Sequence, residues 1–245
     1  MRQSKKGTGD GSLSPYSENT PCRISLSEKG DREPSPVSIL GITGNVGCGK
    51  STILAYMRSR WNARIMELDR VAASLQKKGA PCYGPMLELL GDDVLLPDGE
   101  FDRSRVAEKI FSDSALLEKI NEIVHPAVKE YVRLAIREME TGRGGNDREA
   151  CDLLVIEAAL LYEDRYELIC DEIWYIHTDA EVRAKRLRKS RGYTDEKIRA
   201  IMAAQKDEAF FRERADAVID NTDDDLSAAR AQVDLQMKRF LSLKS

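Results

Sequence analysis

Four groups of residues in this chain have types and spacings suited to moving a phosphoryl group. The first is Gly44-Asn45-Val46-Gly47-Cys48-Gly49-Lys50-Ser51, which fits G-x-x-x-x-G-K-[ST], the phosphate-cradling P-loop. Its glycines let backbone N–H groups come close to an anion. Those groups open a helix, where unpaired donors and the helix dipole both favour negative charge. Lys50 would set an ammonium on the β- and γ-phosphates, and Ser51 a hydroxyl on Mg²⁺. The second group is Asp69, at the end of an apolar run. The third is Glu157, at the end of another. The fourth is a basic stretch, Arg183, Lys185, Arg186, Arg188, Lys189 and Arg191, with six cations in nine positions.

The elements that must hold these groups follow from hydropathy. Residues 37–43 form a β-branched, apolar run ahead of the P-loop, and the apolar spacing after it predicts a helix to about residue 60. Further strands are expected at 64–68, 152–157, 172–176 and 217–220. Strands alternating with helices imply a parallel sheet with right-handed crossovers. In such sheets ligands gather at the carboxyl ends of the strands, where Asp69 and Glu157 stand. Asp69 could meet a nucleophile or Mg²⁺, or simply cap a helix over 70–78. Glu157 could be a Walker B acid or only the polar end of a buried strand.

Helices are also expected at 85–90, closed by Gly91, and at 104–111. Another carries Leu116, Leu117, Ile120 and Ile123, with His125-Pro126 breaking it and Pro126 opening the next. Residues 70–140 thus form a helical block inserted between strands. The basic stretch is either a solvated helix face or a lid, about 181–214, that carries arginines onto a triphosphate. A terminal helix, 226–240, has Leu226, Ala229, Val233 and Met237 on one packing stripe. Residues 141–147 read as a glycine-rich loop. Residues 1–36, rich in Ser, Gly, Pro and charge, read as a disordered extension ahead of a kinase domain at 37–245, with a regulatory tail as the alternative.

The whole chain narrows the classes. Its 245 residues suffice for one α/β domain with insertions, and a formal net charge of −4 gives no case for nucleic acid. No run approaches the roughly 20 apolar residues that span a bilayer. Five scattered cysteines, without C-x-x-C spacing, suit reduced thiols in the cytoplasm. The N-K-x-D sequence of guanine-specific switches is absent. P-loop, acid, helical insert and arginine-rich segment together fit transfer to a small acceptor, with closure excluding water.

The residues also resemble the dephospho-coenzyme A kinase family over about 37–237. The segment from Gly41 to Thr52 is similar to that family's G-(L/I)-T-G-G-I-G-S-G-K-S-T. Glu67-Leu68-Asp69 resembles D-A-D, Lys78-Gly79-Ala80-Pro81 resembles P-G-x-P, and Asp98-Gly99-Glu100-Phe101-Asp102-Arg103 resembles D-G-x-L-D-R. Val124-His125-Pro126 and Glu157-Ala158-Ala159-Leu160-Leu161-Tyr162-Glu163 resemble its H-P element and D-x-P-L-L-F-E. Arg186-Leu187 begins its lid signature, and Ala215-Asp216-Ala217-Val218-Ile219-Asp220-Asn221 resembles A-D-x-V-I-x-N.

The resemblance implies a three-layer P-loop fold with a five-stranded parallel sheet. It also implies ATP-dependent phosphorylation of the ribose 3′-hydroxyl of dephospho-CoA, by a monomer or weak homo-oligomer. By motif, Asp69, Lys50 and Arg186 would be catalytic. The loop from Gly44 to Thr52 (Gly44, Asn45, Val46, Gly47, Cys48, Gly49, Lys50, Ser51, Thr52) and Asn221 would bind ATP, Asn221 at the adenine end. Arg103, His125, Leu160, Leu161 and Glu163 would join Asp69 around the acceptor, His125 being alternatively a capping or core residue. Ser51, with Glu157 beside it, would serve Mg²⁺. The chain departs from the pattern at Glu67, Glu157, Ala73, Ala159 and Ser190, and Cys48 takes a usual serine position, where a redox-sensitive thiol is conceivable. Another small P-loop kinase and a catalytically inert nucleotide-binding protein are the competing readings.

Overall fold

Alternation of buried side chains sets the architecture. In β1 (Ser38–Thr43), Ile39 packs with one apolar cluster while Leu40 and Ile42 pack with another. The same split recurs in β3 (Leu153–Glu157), where Leu154 and Ile156 face one way and Leu153 and Val155 the other. A strand buried on both faces needs helices on both, and that yields three layers. The computed structural model describes residues 35–141 and 152–243. The expected extension lies outside the described residues apart from positions 35 and 36, as do the loop expected beyond Thr141, Cys22 and Cys151.

Five strands, β1, β2 (Arg64–Glu67), β3, β4 (Glu172–His177) and β5 (Ala217–Asp220), form one parallel sheet in the order β2-β3-β1-β4-β5. α1 (Lys50–Trp61) covers one face, contributing Ile53, Leu54 and Met57 to the cluster that holds Trp174. The other face carries α2 (Leu68–Leu75), α3 (Tyr83–Leu90), α4 (Arg103–Ser112) and α5 (Ser114–Glu140). Then follow α6 (Ala180–Arg191), α7 (Asp195–Ala203), α8 (Glu208–Arg212) and α9 (Leu226–Ser242). The terminal stripe is confirmed at Ala229, Val233 and Met237, with Phe240 added, whereas Leu226 is only half-buried.

Two local expectations need correction. β2 ends at Glu67, so Asp69 sits in the first turn of α2 rather than at a strand end. It is not the cap either: Glu67 holds that position and makes no side-chain cap bond. Nor does Pro126 break the helix, because α5 runs 27 residues straight through it. Ile120, Val124, Val128, Val132 and Ile136 recur every four residues across the proline, so one continuous buried stripe outweighs the lost N–H. Leu117, 41% exposed, lies off that stripe.

Candidate active site

The strand order brings the chemistry together. β1, β3 and β2 are neighbours, with Ile42 in register with Glu157 and Glu157 in register with Glu67. All three carboxyl ends therefore open on one edge, as doubly wound sheets require. From β1 the chain enters the P-loop, where Gly47 and Gly49 hold φ of 85° and 86°. Only glycine takes that left-handed backbone cheaply. At Gly49 a Cβ would also stand 2.4 Å from the Asn221 amide nitrogen. The N–H groups of Gly47, Gly49 and Ser51 have no acceptor among the described residues, and they stand at or beside the start of α1.

The loop is braced from behind by side chains that motif reading does not pick out. The Cys48 carbonyl accepts from Thr178 Oγ1 at 3.1 Å and from Asn221 Nδ2 at 2.8 Å. Arg183 is buried; its Nε donates to the Val46 carbonyl at 3.1 Å and its Nη2 to Gln205 Oε1 at 2.8 Å. The same Gln205 oxygen accepts from Val46 N at 3.3 Å, and Asn45 Nδ2 donates to the Lys206 carbonyl at 3.3 Å. Burial pulls the Arg183 guanidinium below its usual range. Thr178, just past the end of β4, could have been suspected from the carboxyl-end rule; Arg183 and Gln205 had no signal beyond the charge run.

Lys50 points back into the loop. Its Nζ donates to the Gly44 carbonyl at 2.6 Å and lies 3.5 Å from Glu157 Oε1. Burial raises the Glu157 carboxyl, Lys50 opposes that shift, and the charges of Asp69 and Glu67 reinforce it. Glu157 is thus partly buried and within electrostatic reach of two more open acids, Glu67, tied to Arg70 at 3.1 Å, and exposed Asp69. The Asp69 carboxylate is exposed and has no hydrogen bond or ion pair among the described residues. It lines a cavity of about 720 Å³ together with Ala73, Lys77, Phe101 and Arg103. Arg103 is presented by the first residue of α4, whose cap, Asp102, accepts from Ser104 N at 2.9 Å and Arg105 N at 3.3 Å.

Other assigned residues fall elsewhere. Leu161 is fully buried, its methyl packed where a Cβ on Gly41 would stand, so it is a core residue and not an acceptor contact. Exposed Leu160 and Glu163 do not line the cavity, nor does His125, whose Nδ1 lies 2.8 Å from Asp164 Oδ1. Arg186 donates to the carbonyls of Asn221 and Asp223 at 2.9 and 3.2 Å and lies beside Gly49. The basic stretch is therefore divided. Arg183 and Arg186 face the P-loop side, while Lys185 and Arg188 pair with Asp224 and Asp195 as a solvated face would. Asn221 is buried against the loop's underside, and its Oδ1 has no hydrogen-bond partner among the described residues. Burial pushes the Cys48 thiol up, which keeps it un-ionised and argues against the redox idea.

Among the described residues no three His, Cys, Asp or Glu side chains converge as a metal cluster. Magnesium asks for less, since it keeps waters and takes one or two protein oxygens plus nucleotide phosphates. The exposed Ser51 hydroxyl and the Glu157 carboxylate are hard oxygen donors of that kind and fit the ion.

A P-loop at the end of β1, an acid at the end of β3 and a cavity beside the start of α2 are the parts of a P-loop kinase. The family model described as dephospho-CoA kinase matches residues 38–226. A dephospho-CoA kinase of Moorella thermoacetica is 35% identical over 80% of this chain and 88% of its own length. That of Symbiobacterium thermophilum is 34% identical over 80% and 78%. The crystal structure of TT1252 from Thermus thermophilus superposes with a TM-score of 0.67 at 28% identity, covering 85% of this chain and 98% of that one. The dephospho-CoA kinase from Campylobacter jejuni, 16% identical with a TM-score of 0.55 over 84% and 98%, shares the fold. The chain belongs to the dephospho-CoA kinase family.

Proposed function

We propose that this chain transfers the γ-phosphoryl group of ATP to the ribose 3′-hydroxyl of dephospho-CoA, giving CoA and ADP, the last step of CoA synthesis. The observation that carries this reading is the position of Asp69. It lines the acceptor cavity and also bears electrostatically on Glu157, the partner of Lys50. Those two relations support Asp69 as the carboxylate that serves the acceptor's hydroxyl on the phosphate side of the site.

The division of labour follows from the contacts. P-loop N–H groups and Lys50 hold the triphosphate and stabilise charge on the transferring group. Asp69 accepts the hydroxyl proton as the acceptor oxygen bonds to phosphorus and the bridge to ADP breaks. Arg103 holds the acceptor's phosphates. Arg186, already fixed beside the P-loop by two carbonyls, adds positive charge at the nucleotide without a large lid movement. Mg²⁺, bound through Ser51 and the Glu157 corner, would neutralise the β- and γ-oxygens. Asn221 supports the nucleotide indirectly, by holding the Cys48 carbonyl. Buried thiols at Cys48 and Cys82 suit a reducing cytoplasm.

The test is a coupled ADP-release assay with ATP and Mg²⁺. Dephospho-CoA is compared with nucleoside monophosphates and with no acceptor. Release that depends on dephospho-CoA, with CoA as product, supports the reading. Release driven equally by other acceptors, or by none, overturns it.

A further inference from the structure

The cavity beside Asp69 holds a second cation that no motif marks. Its wall is largely apolar, with Ala72, Phe101, Val106 and Ile110 among its residues, yet it includes two acids, Asp69 and Glu100, and two bases, Lys77 and Arg103. Neighbouring basic side chains are already engaged. Lys78 Nζ donates to the Asp98 carbonyl at 3.2 Å, Arg105 Nη1 to the Asp93 carbonyl at 2.9 Å, and Lys109 lies 2.7 Å from Asp93. Glu100 is occupied as well, accepting from Lys78 N at 3.2 and 3.3 Å. Lys77 and Arg103, by contrast, make no side-chain hydrogen bond or ion pair among the described residues. Two cations free to take a ligand in one part-apolar cavity form a subsite for a compact anion carried on an otherwise apolar or aromatic molecule.

We propose that Lys77 binds the acceptor: its ammonium and the Arg103 guanidinium bracket the acceptor's diphosphate, while Asp69 meets the hydroxyl. This rests on the dephospho-CoA reading, whose acceptor carries a diphosphate between an adenosine and a long, weakly polar arm. The division suits the side chains. Arginine grips phosphate oxygens with a planar fork, and lysine adds a mobile point charge. Lys77 lies just past the end of α2, four positions after Ala73, and both residues line the cavity. Ala73 leaves room there, and a cation placed at 73 would come from the same element.

The experiment is steady-state kinetics on full-length Lys77→Ala, Lys77→Arg and the double variant Lys77→Ala/Ala73→Arg, varying ATP and dephospho-CoA separately. Lys77 is exposed, so the variants should fold, and their melting temperatures check this. Loss of one charge-assisted contact should raise the acceptor KM about tenfold or more in Lys77→Ala. The KM for ATP and kcat should stay within about twofold, the pattern of lost uniform binding. Lys77→Arg should stay near wild type, and Ala73→Arg should recover part of the acceptor affinity. An unchanged acceptor KM in Lys77→Ala overturns the assignment while leaving the function intact. A wild type that does not turn over dephospho-CoA overturns both.

Discussion

At the scale of single residues, the site separates groups that are held from groups that are free. Lys50, Arg183 and Arg186 are each fixed by backbone carbonyls, whereas Asp69, the proposed base, has no hydrogen-bond or ion-pair partner among the described residues. Asp69→Asn keeps the shape and removes the base. Turnover should fall by roughly 10²–10⁴-fold, with ATP affinity unchanged by calorimetry; undiminished kcat would take Asp69 out of the chemistry. Glu157 gives a pH signature. Its folded carboxyl titrates above the ordinary value of about 4.3. Below that value it is protonated in both states and its contribution to stability is fully present. As pH rises through the higher folded value the unfolded chain ionises first, and the contribution is lost. Nucleotide-free Glu157→Gln should therefore unfold at higher denaturant than wild type at pH 7, with the gap closing towards pH 4. Lys50 keeps its Gly44 carbonyl in that variant. A gap that widens on acidification would contradict the shift.

At the scale of elements, α5 is the instructive case. Its interior proline forgoes one N–H bond and crowds the carbonyl four residues back, a cost of about 3 kcal/mol relative to alanine in a free helix. Alanine also frees the unfolded chain, returning roughly 0.4–1 kcal/mol of that. Pro126→Ala should thus stabilise the protein by about 2–2.6 kcal/mol in urea unfolding. A loss of stability would mean that the proline is needed where it stands, beside His125 and its contact with Asp164. The same helix shows where sequence reading stopped. The P-loop was legible because its conformation is local: glycines at 44, 47 and 49 permit what no other residue does cheaply. The sheet was legible because β-branched runs alternate with helical ones. Continuity through Pro126 was not, since it is decided by five side chains packing on a distant core. Leu160 and Leu161 are adjacent and alike in type, and only the close approach at Gly41 decides which goes inside. Nor could charge density divide the basic stretch, because the partners Asp195, Asp224 and Gln205 arrive through the fold.

At the scale of the molecule, the P-loop lies along one edge of the sheet, and the cavity proposed for the acceptor is lined by residues of α2, α3 and α4 and of the turns between them. On the proposed function, the nucleotide side is built from β1, β3 and the ends of β4 and β5, and the acceptor side from α2, α4 and the turns between them. Asp69 is where they meet. Acceptor specificity can therefore shift through the insert without disturbing the P-loop. The helical segment after β4 has a comparable separation within itself. Its beginning, at Arg183, and its return, at Gln205 and Lys206, are both fastened to Asn45 and Val46. The turn between them, at Gly192, touches nothing that a Cβ there would meet. Such an excursion leaves and rejoins the body at one point, like a handle. Its far end is open to insertion, shortening or grafting, and the constraints of phosphate binding bear on the attachments and on Arg186, one turn in from the first of them.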